Sequence, residues 1–147
     1  MTATRRWILD LFYDLISSMK KDFQKWHNKK SKVDEIAERP FFHEQEVWFC
    51  HLGVNVGFEE DGSGNDFLRP IVIIRKFSNE VFWAIPLTRT EKKNKYYFKF
   101  IFNTHDISFA ILSQIRLIDA RRLSYKTGDI TDKDFRILKE KLKALLP

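Results

Sequence analysis

The chain has 147 residues, 44% of them hydrophobic and 31% charged, with five Gly and four Pro. That is the size of one domain able to bury a core without crosslinks, and it excludes both a large multidomain enzyme and a disordered or fibrous chain. Its single cysteine excludes an internal disulfide, and no apolar run approaches membrane-spanning length, so the expected setting is the reducing cytoplasm with no membrane crossing. Lys and Arg number 26 against 20 Asp and Glu, a net charge of +6. The first 40 residues carry 9 basic and 6 acidic side chains and the rest 17 and 14, so neither part is a charged tail. The excess is compatible with a polyanionic partner without requiring one.

From Trp7 to Trp26, apolar residues at Ile8, Leu11, Phe12, Leu15, Ile16, Met19 and Phe23 keep one side of a 3.6-residue period covered, which predicts an amphipathic helix. Asp10, Asp14, Lys20, Lys21, Asp22 and Lys25 fall on the opposite side, expected to be solvated. Such a helix packs on its own domain, binds a partner or lies on a membrane surface, and the acidic residues weaken the last option. The segment from His27 to Pro40 loses the period and reads as a linker with one further short helical turn. The expected organisation is thus a helical arm and linker over 1–40 and a main domain over 41–147.

From Gln45 the pattern changes to β-prone runs: EVWFCHL, IVIIRKF, EVFWAIPL, YYFKFIF and ISFAILSQIRLI. Their spacing is too tight for intervening helices, so about five strands of a small, curved antiparallel barrel are predicted. TDKDFRILKEKLKALL closes the chain as a helix, with Thr131 placed to cap it and Phe135, Ile137, Leu138, Leu142, Leu145 and Leu146 apolar.

Chemistry concentrates around the long connection GVNVGFEEDGSGNDFLRP. Glu59, Glu60, Asp61 and Asp66 lie between glycines at 53, 57, 62 and 64, which reads as a solvated acidic hairpin tip or, more weakly, as an incomplete calcium loop. Arg69, before Pro70, is either a loop-to-strand salt bridge or a fixed cation facing a groove. Thr88 ends the strand VFWAI, where its hydroxyl binds an anionic oxygen or caps the turn. Arg89, Lys92, Lys93 and Lys95 then put four positive charges in seven residues beside Tyr96 and Tyr97, a combination of phosphate attraction and base-stacking surface. His27, His43, His51 and His105 lack ligand spacing, so no metal site is expected. Cys50 is a poor nucleophile, since the adjacent His51 points to the other face of the strand. No dinucleotide or Walker fingerprint is present, and no cofactor is expected.

Four segments in order, EVWFCHLGVNVGFEEDG, FLRPIVIIRKF, FWAIPLTRT and ILSQIRLIDARRL, resemble the MazF/PemK family of toxin endoribonucleases of bacterial type II toxin–antitoxin systems. The resemblance spans Phe42 to Leu146. It implies a mainly β fold with helices, an SH3-like small β-barrel with a C-terminal helix, to which this chain adds the N-terminal helix. It further implies a homodimer, a cognate acidic antitoxin, and metal-independent cleavage of single-stranded RNA. Glu59 matches the acidic position of the family's Gly-Ser-Glu-Gln loop, Arg69 its arginine before proline, and Thr88 its threonine after a Pro-x pair. Phe58 and Glu60 replace the common Ser and Gln, and the segment from Glu59 to Arg69 is longer than in compact members. Gln114 and Arg116 resemble a further motif, with a structural role and RNA contact both open.

In the mechanism so implied, the RNA's own 2′-hydroxyl attacks the adjacent phosphorus, giving a 2′,3′-cyclic phosphate and a 5′-hydroxyl. Glu59 accepts the proton, Arg69 stabilises charge on the phosphoryl oxygens and Thr88 orients one of them. Arg89, Lys92, Lys93, Lys95, Tyr96, Gln114 and Arg116 form the expected RNA surface. The alternative is a noncatalytic nucleic-acid- or protein-binding barrel, because extra carboxylates oppose phosphate approach.

Overall fold

A computed structural model describes residues 20–147. Seven antiparallel strands follow one helix and precede another: α1 (Phe23–Asp34), β1 (Glu46–His51), β2 (Leu68–Lys76), β3 (Val81–Thr88), β4 (Tyr97–Phe102), β5 (Asp106–Ile111), β6 (Arg116–Asp119), β7 (Leu123–Asp129) and α2 (Asp132–Lys143). The hydrogen-bonded path runs β4-β5-β3-β2-β1-β7, with β6 on β3. It does not return from β7 to β4, so the expected closed barrel is corrected to an open, strongly curved sheet. A side chain bridges the gap instead: Asn103, after β4, donates through Nδ2 to the Thr127 carbonyl of β7.

The apolar runs became strands because both sheet faces are covered. In β2, Ile71 and Ile73 enter one core cluster with Phe42, Phe82 and Ile118, while Val72 and Ile74 enter another with Phe98, Phe100, Phe102 and Leu138. A strand buried on both faces shows no polar alternation, which is why this one reads as an unbroken IVII. ISFAILSQIRLI, expected as one strand, is two. A 3₁₀ turn at Leu112–Gln114 divides it, and the halves pair with opposite ends of β3: Ala110 with Leu87, Arg116 with Ala84. Strand β7 carries no apolar period, burying Leu123 and leaving Ser124, Tyr125 and Lys126 exposed, so pairing with β1 rather than patterning defines it.

Glu46 anchors that pairing. Its buried carboxylate accepts from the His43 backbone (2.6 Å) and Trp48 Nε1 (3.1 Å) and pairs with Lys126 of β7 at 3.0 Å. Burial pushes its pKa up, but these hydrogen bonds and the ammonium outweigh burial and hold it below the ordinary carboxyl value.

The C-terminal helix forms as its cap predicts, with Thr131 Oγ1 accepting from Asp134 N at 3.2 Å and Phe135 and Leu138 buried. The N-terminal expectation changes more. Trp7 to Met19 lie outside the described residues. Lys20, Lys21 and Asp22 are not helical; Asp22 caps a helix that starts at Phe23 and runs through the segment read as linker. Only Trp26 and Val33, seven residues apart and so two turns along one side, are buried, too sparse a pattern to register as an apolar period.

Trp26 seats α1 on the sheet. Its ring lies against Gly53 and 5.4 Å from the ring of Phe67. Gly53 has φ +80°, and a β-carbon there would overlap the indole. Gly53→Ala is expected to cost roughly 2–4 kcal/mol, from left-handed backbone strain plus overpacking, measured as a loss of urea midpoint at constant m.

Candidate functional site

The connection from Leu52 to Phe67 folds back on itself. Gly62 N donates to the Gly53 carbonyl at 2.7 Å, and Ser63 and Leu68 exchange backbone hydrogen bonds of 2.8 and 2.9 Å. Gly62 admits this because a β-carbon would strike the Phe67 carbonyl. Inside the loop, Asn55 N donates to Asp61 Oδ1 at 2.6 Å and Asn55 Nδ2 to the Glu60 carbonyl at 2.8 Å. The acidic connection is therefore internally hydrogen-bonded, while residues 56–59 and 63–66 remain exposed to solvent as expected of a solvated tip. Its carboxylates also diverge: Glu59 caps Val56 N at 3.1 Å, Glu60 pairs with Arg69 at 2.9 Å, Asp61 with Lys21 at 3.0 Å and Asp66 with Lys29 at 3.1 Å. They offer no shared cation cage.

Arg69 projects from β2 beside Cys50 of β1 and is three-quarters buried. Its Nε donates to the Asp61 carbonyl, one terminal nitrogen to the Leu87 carbonyl of β3 at 3.0 Å, and the other faces Glu60 Oε2. The two readings of this arginine, salt bridge and groove cation, thus coincide. Arg69 and Thr88 line one groove of about 340 Å³ together with Arg89, Asp106, Ser108 and Thr127. Thr88 Oγ1 accepts from Thr90 N at 3.2 Å, which leaves its own proton for another acceptor.

Glu59 faces a second cavity of about 620 Å³, with Glu60, Phe58, Gln114 and Arg116. Arg69 and Glu59 therefore belong to adjacent cavities, and Glu60 joins them, lining the second while its carboxylate pairs with Arg69. Gln114 clamps the loop: Oε1 accepts from Glu60 N at 2.7 Å and Nε2 donates to the Phe58 carbonyl at 2.8 Å. Phe58 is fully exposed at the rim. Of the basic cluster, only Arg89 lines the Arg69 groove, 3.9 Å from Asp106. Lys92, Lys93, Lys95 and Tyr96 are exposed and line neither cavity, with the Lys95 ammonium 5.3 Å from the Tyr96 ring centroid. Burial pushes the Cys50 thiol up to about 12, against the pull of Arg122 and Arg116, which removes it as a nucleophile.

The sequence reading missed a lysine clasp. Lys21 Nζ donates to the carbonyls of Asn55 (2.6 Å) and Gly57 (2.9 Å) while pairing with Asp61, and Lys25 reaches Asn65 Oδ1 at 2.8 Å and Lys29 reaches Asp66. Lys21 and Lys25, assigned to a solvated face, and Lys29, in the segment read as a linker, instead grip the acidic loop. The spacing of four between lysines 21, 25 and 29 was a visible signal; the partner was not. Replacing Lys21 with Gln is expected to speed hydrogen exchange at the Glu60 and Gly62 amides about tenfold, leaving the β2 and β3 amides unchanged.

The chain can now be set beside known proteins. No curated protein matches it. Among solved structures it is similar to an endoribonuclease in complex with its cognate antitoxin from a mycobacterial species, at 15% identity over 73% of this chain and 98% of that one, TM-score 0.56. It is similar also to MazF from Deinococcus radiodurans, at 15% identity over 74% and 96% of the two chains, TM-score 0.57, and to the MazE–MazF complex of that organism, at 13% over 74% and 95%, TM-score 0.55. These likenesses show the fold. A sequence profile described as the PemK-like, MazF-like toxin of type II toxin–antitoxin systems matches residues 43–146, a span that includes the Arg69 groove and the loop around Glu60, and the chain belongs to that family.

Proposed function

We propose that this protein is a metal-independent endoribonuclease toxin that cleaves single-stranded RNA in a sequence-selective manner. The observation that carries the reading is the placement of Arg69 and Thr88 in one groove, with a carboxylate directly on the guanidinium. RNA supplies its own nucleophile, so the protein has to align the 2′-hydroxyl with phosphorus, take its proton and stabilise charge on the phosphoryl oxygens. Arg69 is the charge stabiliser, held in position by the Asp61 and Leu87 carbonyls before substrate arrives. Thr88 donates to a phosphoryl oxygen. Arg69 is a poor proton donor, because a guanidinium holds its proton too tightly, so the departing 5′-oxygen takes its proton from water.

Proton acceptance falls to the Glu59–Glu60 pair. Glu60 is the better placed of the two: a phosphate arriving at Arg69 displaces its carboxylate, which is then released beside the reacting 2′-hydroxyl. Gln114 positions this loop through its two hydrogen bonds. Phe58 offers a base-stacking surface, and Arg89, Lys92, Lys93, Lys95 and Arg116 attract the strand. The same charges suit an acidic antitoxin segment, a reading supported by the antitoxin complexes among the similar structures. A toxin acting on cellular RNA works in the cytoplasm.

One observation favours the rival reading of a noncatalytic binding barrel: Glu60 occupies the guanidinium that a phosphate needs. Arg69→Ala separates the two. An enzyme loses cleavage by about 10²–10³-fold while keeping its fold, whereas a binder shows weaker association and has no chemical step to lose. The wild-type protein is expected to cut RNA in excess EDTA and to spare a substrate with 2′-deoxyribose at the scissile position; activity that returns only with magnesium overturns the mechanism. Glu60→Gln is expected to slow cleavage more than Glu59→Gln, and the reverse order restores Glu59 as the acceptor.

A homodimer belongs to the same proposal. Phe77, Trp83 and Leu117 form an exposed apolar patch, with Trp83 paired across strands to Leu117 and its ring 5.0 Å from that of Phe77. A second copy covering this patch removes the surface from water. Sedimentation is expected to show a dimer at micromolar concentration and a monomer for Trp83→Glu; a wild-type monomer with full activity overturns the assembly.

A further inference from the structure

Helix α1 lies outside the family-matched residues, yet it walls a cavity of about 390 Å³ whose far side is the connection between β6 and β7. His27, Lys30, Arg121 and Arg122 line it, with Asp34 and Asp119. The charges there are not mutually satisfied. Arg39 holds Asp119 bidentately at 3.0 and 2.9 Å, and the Arg121 backbone N–H takes a third bond to it at 2.9 Å. Asp34 is exposed and stands 3.9 Å from Arg121, beyond hydrogen-bond reach. Arg121 Nε is buried with no hydrogen-bond partner among the described residues.

Arg122 is half-buried, and among the described residues no carboxylate pairs with it. Its guanidinium donates to the His51 carbonyl at 3.3 Å and lies 5.7 Å from the Trp26 ring centroid. Burial lowers its pKa and the nearby Arg116 lowers it further, against a smaller opposing pull from Cys50 and Asp119. Two half-buried guanidinium groups thus face this cavity, Arg121 with only a 3.9 Å ion pair to Asp34 and Arg122 with a carbonyl acceptor and no carboxylate, which leaves donors for an anion.

We infer that this cavity is an accessory phosphate site for the same RNA strand that Arg69 engages. The inference rests on the proposed RNA reading and extends it to residues outside the candidate cleavage site. A single strand is favoured as occupant because the two cavities adjoin: Arg122 holds the His51 carbonyl, and the next residue, Leu52, lines the Glu59–Glu60 cavity with Arg116, whose charge opposes that of Arg122. A polyanion with regularly spaced charges relieves that repulsion along its length. Arg121 and Arg122 bind the phosphate oxygens and Lys30, exposed on α1, closes the outer side. In this arrangement the segment does two jobs with different side chains: Lys21 just before α1, with Lys25 and Lys29 on it, holds the acidic loop, and Lys30 lengthens the RNA track.

The test uses the full chain and two uncleavable 2′-O-methyl RNAs, one of about 5 nucleotides and one of about 15. The double variant Lys30→Gln with Arg121→Gln is expected to bind the long RNA about tenfold more weakly, with a salt-dependence slope smaller by about one to two. Its affinity for the short RNA and its cleavage of a short substrate stay at wild-type values. Lys30→Glu alone, on an exposed helix position, moves long-RNA binding in the same direction and guards against a folding defect in the double variant. Unchanged long-RNA affinity and slope overturn the site, while retained cleavage of the short substrate shows that the nuclease reading survives. If the wild type binds long RNA through these residues yet cuts none, the accessory site stands and the nuclease reading fails. Inorganic phosphate, or an acidic peptide, whose binding depends on Lys30 and Arg121 while RNA binding does not, overturns RNA as the occupant.

Discussion

The Arg69 guanidinium is the constraint on which the rest of the site depends. A cation three-quarters removed from water must have its donors satisfied, and here they go to two parts of the chain: the acidic loop, through the Asp61 carbonyl and the Glu60 carboxylate, and β3, through the Leu87 carbonyl. Satisfying it fixes the end of the acidic loop against the sheet. It also decides which of two neighbouring glutamates meets the cation. Bonds to two carbonyls hold the guanidinium in place independently of the carboxylate, and in the proposed function it is the carboxylate that a phosphate displaces.

That constraint would be costly without a counterweight. Glu59, Glu60, Asp61 and Asp66 crowd one connection, and their mutual repulsion would open it. Lys21, Lys25 and Lys29 supply opposite charge from outside the family-matched core, and Lys21 adds hydrogen bonds to the loop backbone. These contacts are partly exposed, so each ion pair is weak by itself. Trp26 makes them act together, because packing on Gly53 and Phe67 fixes the helix that presents them. The acidic loop and the helix outside the family-matched residues are in this sense one device.

The sheet makes the grooves through a division of labour on β3. Its first half pairs with β6 and its second with β5, so the sheet splays where β3 ends at Thr88. Arg69 enters from the adjacent strand at that point. The 3₁₀ turn between β5 and β6 puts Gln114 under the acidic loop, where one side chain clamps two backbone groups. The separation of the two cavities follows from this topology and from nothing local.

What the sequence determined by itself was whatever depends on local chemistry or on burial that a pattern can express. The runs IVII and VFWAI are strands because β-branched and aromatic residues suit a pleated, buried surface, and Thr131 starts a helix because its hydroxyl caps Asp134. The family motifs brought attention to Arg69 and Thr88, which do share a groove. The tertiary structure decided the remainder. Strand β7 is invisible in LSYKTGD because its stability comes from β1. The open sheet replaces an expected closed barrel because β7 and β4 are bridged by Asn103 rather than by a ladder. Lys21, Lys25 and Lys29 recur every four residues, but the loop groups they meet, Asp61, Asn65 and Asp66, carry no matching pattern, so only the fold shows the partnership. Glu60, not Glu59, reaches Arg69 for the same reason: adjacent residues in a loop differ in direction, and only the folded path of the backbone sets which of them turns toward the sheet.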